Sequence, residues 1–440
     1  MTDRQRDEKL FSGGRIFDGV NAPVDGHALL MRDGRIARVA PASEFAGYAG
    51  LREDISGKTL LPGIIDSHVH LFLAGQIPFG FHMMLNEKDD CGGICSMRLM
   101  NGRFSRNYID LDQADRTLAM LENAQANLRG GITSVRDMCG RDFYEMKVRD
   151  AIDAGQHLGP SIVCAGKGIT ITGGHGWWSG LEADGADGMR RAVRENIKAG
   201  SDFIKFVVTG GILTMGTDPL RTAFTQEEIE AGIGEARRLG KKAAVHAQGN
   251  DGIARAIRAG ATSIEHGFEL RDETIEEMIK LGVFLVPTLA IPDAFRESGK
   301  GFSPAMRDKG LKFAEMHVDS VRRYYTAGGK LAMGTDTGFP YIYHGNNARE
   351  LFLMCEAGVA PLDALRAGTS SAAELCGFAN RGRLAEGYWA DMLIVNGDPS
   401  ADITRVSDRA HHHAVYKNGF DVHSRLGTEP ARPWPTPFSR

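Results

Sequence analysis

GIIDSHVHL, residues 63–71, is the stretch that decides how this chain is read. Two isoleucines lead into Asp66, and His68 and His70 then alternate with Ser67 and Val69. Successive side chains of a strand point to opposite faces, so the two imidazoles share one face. The residues before them are apolar on both faces, the pattern of a parallel strand covered by helices. Seven further β-rich runs follow: GITSVRD at 131–137, SIVCAG at 161–166, SDFIKFVV at 201–208, KKAAVHA at 241–247, ATSIEHG at 261–267, VFLVPTL at 283–289 and KLAMGTD at 330–336.

The segments between these runs carry helical signals. Thr225 and Glu228 form a capping box ahead of Ile229, Ile233 and Leu239, with Gly240 as the stop. Leu118, Leu121 and Leu128 are expected on one helical face, and Ile253 and Ile257 precede Gly260. Eight strand–helix units in series predict an α/β fold, a (β/α)8 TIM barrel over residues 61–380.

The ends read differently. Residues 1–60 and 381–440 hold short β-like runs with Gly/Asp turns, such as ALLMRDGRIARVA and GYWADMLIVNGDP. Neither half has enough apolar residues for its own core, so one small β-sandwich built from both chain ends is expected. The Pro-rich tail GTEPARPWPTPFSR is expected to run extended over the surface.

Composition narrows the function classes. Hydrophobic residues (42%) and charged residues (25%) are at ordinary globular levels. A net charge of −4 without a basic run argues against nucleic acid. The charged start MTDRQRDEKLF does not read as a signal peptide, and no run is long enough to span a membrane. Cysteines at 91, 95, 139, 164, 355 and 376 make no CxxC pair, which fits a reducing cytoplasm. Cys91 and Cys95 read as loop thiols. His411, His412 and His413 read as lying on or beside a surface strand rather than as a metal site.

In a barrel of this kind, chemistry gathers at the C-terminal ends of the strands. There the first run places His68 and His70, the fourth Lys205, the fifth His246, the sixth His266 and the eighth Asp336. Neutral imidazoles at this spacing can chelate one cation, and His246 with His266 a second. A cationic Lys205 would repel metal and is costly to bury, but as its carbamate, formed with carbon dioxide, it could bridge two cations.

HxH, Lys, His, His, Asp on runs one, four, five, six and eight resembles the amidohydrolase superfamily, in its two-metal, carboxylated-lysine branch. TGGHG at 172–176, VVTGG at 207–211, HAQG, IEHG and GTDTG resemble the prolidase-like and imidazolonepropionase-like group of that superfamily. The resemblance implies His68, His70 and Asp336 on one metal, His246 and His266 on the other, and Lys205 between them. It implies two divalent ions, zinc foremost with manganese, cobalt or iron as alternatives, which bring a bridging water's pKa toward ~7. Asp336 would act as general base and then acid, and His175 would face the substrate carbonyl. Oligomers are common in the family, so a homo-oligomer acting on a small molecule is expected.

One departure bears on the substrate. Dipeptidases of this group carry a carboxylate-gripping tyrosine where this chain has Gln248. Trp177, Trp178, Phe79, Phe81 and Met83 could wall an apolar pocket. A small apolar amide, such as an N-aryl or N-acyl amide or a substituted urea, is therefore expected, with an Xaa-Pro or Xaa-hydrophobic dipeptide as the alternative. Two rivals weigh less: a one-metal deaminase, disfavoured by Lys205 and by glycine at 249, and a non-catalytic scaffold, disfavoured by the intact ligand set.

Overall fold

The computed structural model describes residues 8–73, 75, 113–214, 216–297 and 304–427. Phe79, Phe81, Met83, Cys91, Cys95 and the Pro-rich tail lie outside the described residues.

The eight runs become β1 (Ile64–Val69), β2 (Ile132–Asp137), β3 (Ser161–Cys164), β4 (Ile204–Val207), β5 (Ala243–Ala247), β6 (Ser263–His266), β7 (Phe284–Val286) and β8 (Lys330–Leu331). β1, β2 and β3 pair in parallel, and so do β4 through β8 in chain order. Asp202 N–H donates to Cys164 O at 2.9 Å, linking the approach to β4 with the end of β3. Ser67 N–H donates to Met333 O, and Asp336 N–H to His68 O, both at 2.8 Å, so the segment after β8 lies against β1. β8 is shorter than its run suggests: residues 332–336 follow in irregular backbone that still hydrogen-bonds to β1. Gly334 makes that approach possible, because a Cβ there would lie 2.3 Å from Val286 Cγ1 and 2.8 Å from His68 Cβ.

Helices α1 (Gln113–Arg129), α2 (Tyr144–Asp153), α3 (Gly185–Ala199), α4 (Gln226–Arg238), α5 (Asn250–Ala259) and α6 (Asp272–Leu281) alternate with β2 through β7. The capping box forms at α4: Thr225 Oγ1 accepts from Glu228 N–H, and Glu228 Oε2 accepts from Thr225 N–H. Such a cap is worth ~1 kcal/mol. Ile229 and Ile233 are buried, as are Ile253 and Ile257 of α5. On α1, however, Leu118 is 63% exposed. The buried stripe runs through Met120, Ala124 and Leu128, and Leu118 lies two positions before Met120, about 200° around the helix.

The chain ends build two further sheets. One orders Arg35–Pro41, His27–Arg32, Lys9–Ser12 and Leu51–Asp54; the other orders Phe420–Asp421, His412–Lys417, Met392–Asn396, Lys58–Pro62 and Arg15–Ile16. The second joins both chain ends, since Met392–Asn396 pairs antiparallel with Lys58–Pro62. Phe11, Leu29 and Ile36 of the first sheet share one apolar cluster with Leu60, Met392 and Ile394 of the second. Lys58–Pro62 runs through Gly63 directly into β1, so the terminal sheets set the start of the histidine-bearing strand. His413 is exposed at the start of its strand, and His412 Nε2 is taken by Val406 O at 2.8 Å. No helix among the described residues is long and apolar enough to cross a membrane.

Candidate active site

At the ends of the parallel strands lies a cleft of about 840 Å3, counted to its open mouth. His68, His70, Lys205, His246, His266 and Asp336 all line it. His175, Trp178 and Gln248 line it too. Trp177 does not: it is 39% exposed, while Trp178 packs on Phe72 with ring centroids 5.9 Å apart. The turn at residues 174–180 therefore turns only one of the two adjacent indoles inward.

A chain of ring contacts orders the site. From Trp178 it passes through Phe72 to His70 (6.0 Å), His68 (5.4 Å), His266 (5.1 Å), His246 (4.6 Å) and His175 (4.8 Å). Asp336 reaches into it, with Oδ1 2.9 Å from His70 Nε2 and 3.3 Å from His68 Nε2. The neighbouring imidazoles outweigh burial and hold the Asp336 carboxyl well below the usual range. Burial pushes His70, His246 and His266 down, so these rings are neutral near pH 7.

Neutral imidazole has one donor and one acceptor nitrogen, and the surroundings fix which is which. His68 Nδ1 is 2.9 Å from Glu265 Oε2, to which it can only donate, and its Nε2 faces Asp336 Oδ1 at 3.3 Å. His246 Nε2 donates to Gly210 O at 3.0 Å, leaving Nδ1 free. His266 Nδ1 meets Thr288 Oγ1 at 2.8 Å. That hydroxyl also donates to Pro287 O, so Nδ1 is the donor and Nε2 is free. Ligand atoms of His68, His266 and Asp336 lie within 4.8 Å of one another, a spacing that suits a shared cation. That trio takes His68 and Asp336 from one half of the expected partition and His266 from the other, so the two halves adjoin. His266, Thr288 and Asp336 all have positive φ (74°, 54° and 62°), a costly backbone for non-glycine residues, gathered at one site.

Lys205, on β4, is buried, and burial pushes its ammonium down to about 8. Among the described residues, nothing hydrogen-bonds its Nζ. His175 packs on Gly211, where a Cβ would lie 2.4 Å from the imidazole ring. Burial pushes His175 down to about 4. Its Nδ1 lies 2.9 Å from Thr214 Oγ1, which also accepts from Gly176 N–H at 3.2 Å. Lys309 fixes this loop by donating to Gly211 O and Thr217 O, both at 2.7 Å.

Two site-supporting residues lay hidden in the sequence, Glu265 and Arg136. Arg136 donates to both Glu265 oxygens at 2.9 and 3.1 Å and to Ser67 O at 2.6 Å. Burial alone would raise Glu265; Arg136 and then His68 reverse that and hold it at about 2. A charged residue inside a fully buried strand, Glu265 in SIEH and Arg136 in ITSVRD, was the available signal.

A family model described as the Amidohydrolase family matches residues 59–420. The chain belongs to that family. Membership makes it a hydrolase of carbon–nitrogen bonds. This amidohydrolase is 28% identical over 446 aligned residues to an ochratoxinase of Aspergillus niger, covering 92% of this chain and 85% of that one. It is 27% identical to an imidazolonepropionase of Paracoccus denitrificans, covering 92% and 93%. A crystal structure of a Xaa-Pro dipeptidase with bound methionine superposes with a TM-score of 0.80 at 28% identity, covering 94% of this chain and 99% of that one.

Proposed function

We propose that this amidohydrolase cleaves the C–N bond of a small, neutral, largely apolar amide, such as an N-aryl or N-acyl amide or a substituted urea. The observation that carries this reading is the cleft's lining. Besides the candidate ligands Lys205 and Asp336, no Lys, Arg, Asp or Glu lines it among the described residues, and Phe72, Leu73, Val207, Ile212 and Phe339 make its walls apolar. A substrate carboxylate would find no dedicated cation there. We also propose the architecture that best accounts for the pairing: a (β/α)8 barrel over 61–380 and a β-sandwich from 1–60 and 381–440.

The donor set fits divalent metal. His68, His70 and Asp336 would hold one ion and His246 and His266 the other. Lys205, as the carbamate R–NH–COO− formed from its neutral amine and carbon dioxide with loss of a proton, would serve both. Bound there, two such ions would polarise the substrate carbonyl and make water nucleophilic at neutral pH. Asp336, held ionised by the adjoining imidazoles, accepts the proton from water and passes it to the departing nitrogen. His175 contributes a hydrogen bond. Because Thr214 Oγ1 accepts from Gly176, its own proton is free for His175 Nδ1, which leaves Nε2–H to donate to the substrate oxygen. Trp178 forms part of the apolar wall beside Phe72.

The test is a hydrolysis screen of anilides, aryl ureas, N-acyl amino acids and dipeptides, with metal content measured on the same sample. Turnover of compounds without a carboxylate is expected. Turnover confined to carboxylate-bearing substrates overturns the reading and favours the dipeptidase alternative.

A further inference from the structure

Buried polar atoms in folded proteins almost always have a partner, so each exception calls for a reason. Apart from Nδ1 of the candidate ligand His70, two exceptions lie in the walls of the cleft among the described residues. Gln248 Oε1 and Trp178 Nε1 are both buried without a hydrogen-bond partner. Gln248 as a whole is 2% exposed. Its backbone is fixed, with N–H donated to Thr209 Oγ1 at 3.1 Å and its carbonyl accepting from Glu269 N–H at 2.8 Å. It stands two residues beyond His246 and therefore on the same side of the extended chain. Trp178 closes the other end of the ring series, beyond His70 and Phe72. The candidate metal ligands thus lie between an unmet acceptor on the His246 side and an unmet donor on the His70 side.

We infer that Gln248 selects substrates that carry an N–H, whose hydrogen meets the carboxamide oxygen, while Trp178 donates to an acceptor at the substrate's other end. This inference rests on the proposed neutral-amide chemistry and narrows it to secondary amides and N–H ureas over tertiary amides. An Xaa-Pro bond has no N–H to offer. A site built around a hydrogen bond rejects the analogue lacking it, because its own polar group is then left buried and unpaired.

The experiment compares an N-aryl acylamide with its N-methyl congener on the metal-loaded enzyme. Equilibrium binding of each is followed in parallel by tryptophan fluorescence. Wild type is expected to favour the N–H compound ~10- to 100-fold in kcat/KM. In Gln248→Leu, similar in volume but without an acceptor, the preference should collapse to within ~threefold. Trp178→Phe, which keeps the ring but loses the donor, should weaken both compounds alike. Equal handling of the two congeners by wild type, or an undiminished preference in Gln248→Leu, overturns the inference. If Gln248→Leu does not fold, the wild-type ratio still decides. A binding preference without turnover of either compound sinks the amide reading and leaves the role of Gln248 standing. Turnover without preference does the reverse.

Discussion

Lys205 and Lys417 are both buried, and burial pushes both ammonium groups down to about 8. Their neighbourhoods differ. Lys417, on the terminal sheet, donates to Asp391 at 2.7 Å, Thr133 O at 2.8 Å and Ser161 Oγ at 2.9 Å, satisfying all three of its protons. It ties the terminal sheet to β2 and β3. Lys205 stands among imidazoles at the cleft with no such partners. A buried lysine whose donors are all met is a rivet. One whose donors are unmet is a reagent, because its neutral amine is accessible and nothing competes for it.

Exchanging each lysine breaks or sustains that contrast. Lys205→Ala should lower kcat/KM by at least about a thousandfold and cut metal occupancy, with the melting temperature nearly unchanged. Short carboxylic acids should restore part of the activity by standing in for the carbamate. Full turnover in this variant would remove Lys205 from the chemistry. Lys417→Met should do the opposite. It takes one of two cationic partners from Asp391, leaving Arg381 and the Asn418 N–H among the described residues, and should cost ~1–3 kcal/mol in denaturant unfolding. Activity per folded molecule should hold. A loss of kcat that outruns the loss of folded protein would erase the distinction.

The same contrast extends to the carboxylates. Glu265 is paired on both oxygens, and its partner His68 is a candidate ligand. Glu265→Gln keeps the shape but weakens the hold on the His68 tautomer. A drop in metal affinity of ~10- to 100-fold is expected, measured by titration against a chelator. Unchanged affinity would reduce Glu265 to a packing residue.

How much of this was legible follows from the same physics. The strand runs and the six candidate ligands could be read because period-two alternation puts functional groups at strand ends, where an apolar residue was otherwise expected. His175 followed from the resemblance. The pairing of Glu265 with Arg136 could not be read, since it is a meeting of β6 with β2 that spacing along one strand does not encode. Trp177 and Trp178 are neighbours in a turn, where no periodicity says which indole faces inward. Leu118 was misplaced because a three-leucine spacing fits two adjacent helix faces, and only packing chooses between them. The open oxygen of Gln248 is a property of its surroundings rather than of its residue type.

Glu145 marks the other extreme from Glu265. It is buried, and neither of its oxygens has a hydrogen-bond partner. Burial pushes its carboxyl up to about 7, and the same burial, with Glu145 nearby, raises Asp137 on β2. The folded state therefore holds a proton on Glu145 that the unfolded chain releases near its ordinary value of 4.5. Between those values the native state binds more protons at Glu145 than the unfolded one, so the contribution of Glu145 to stability falls as pH rises from about 4.5 and levels off above about 7. Glu145→Gln removes the titration while keeping the volume, and should be the more stable form at pH 8 by ~1–2 kcal/mol. At pH 4.5 the difference should nearly vanish. Urea unfolding across this range checks it, and parallel curves for the two proteins would mean that a partner, such as an ordered water, already satisfies the carboxylate.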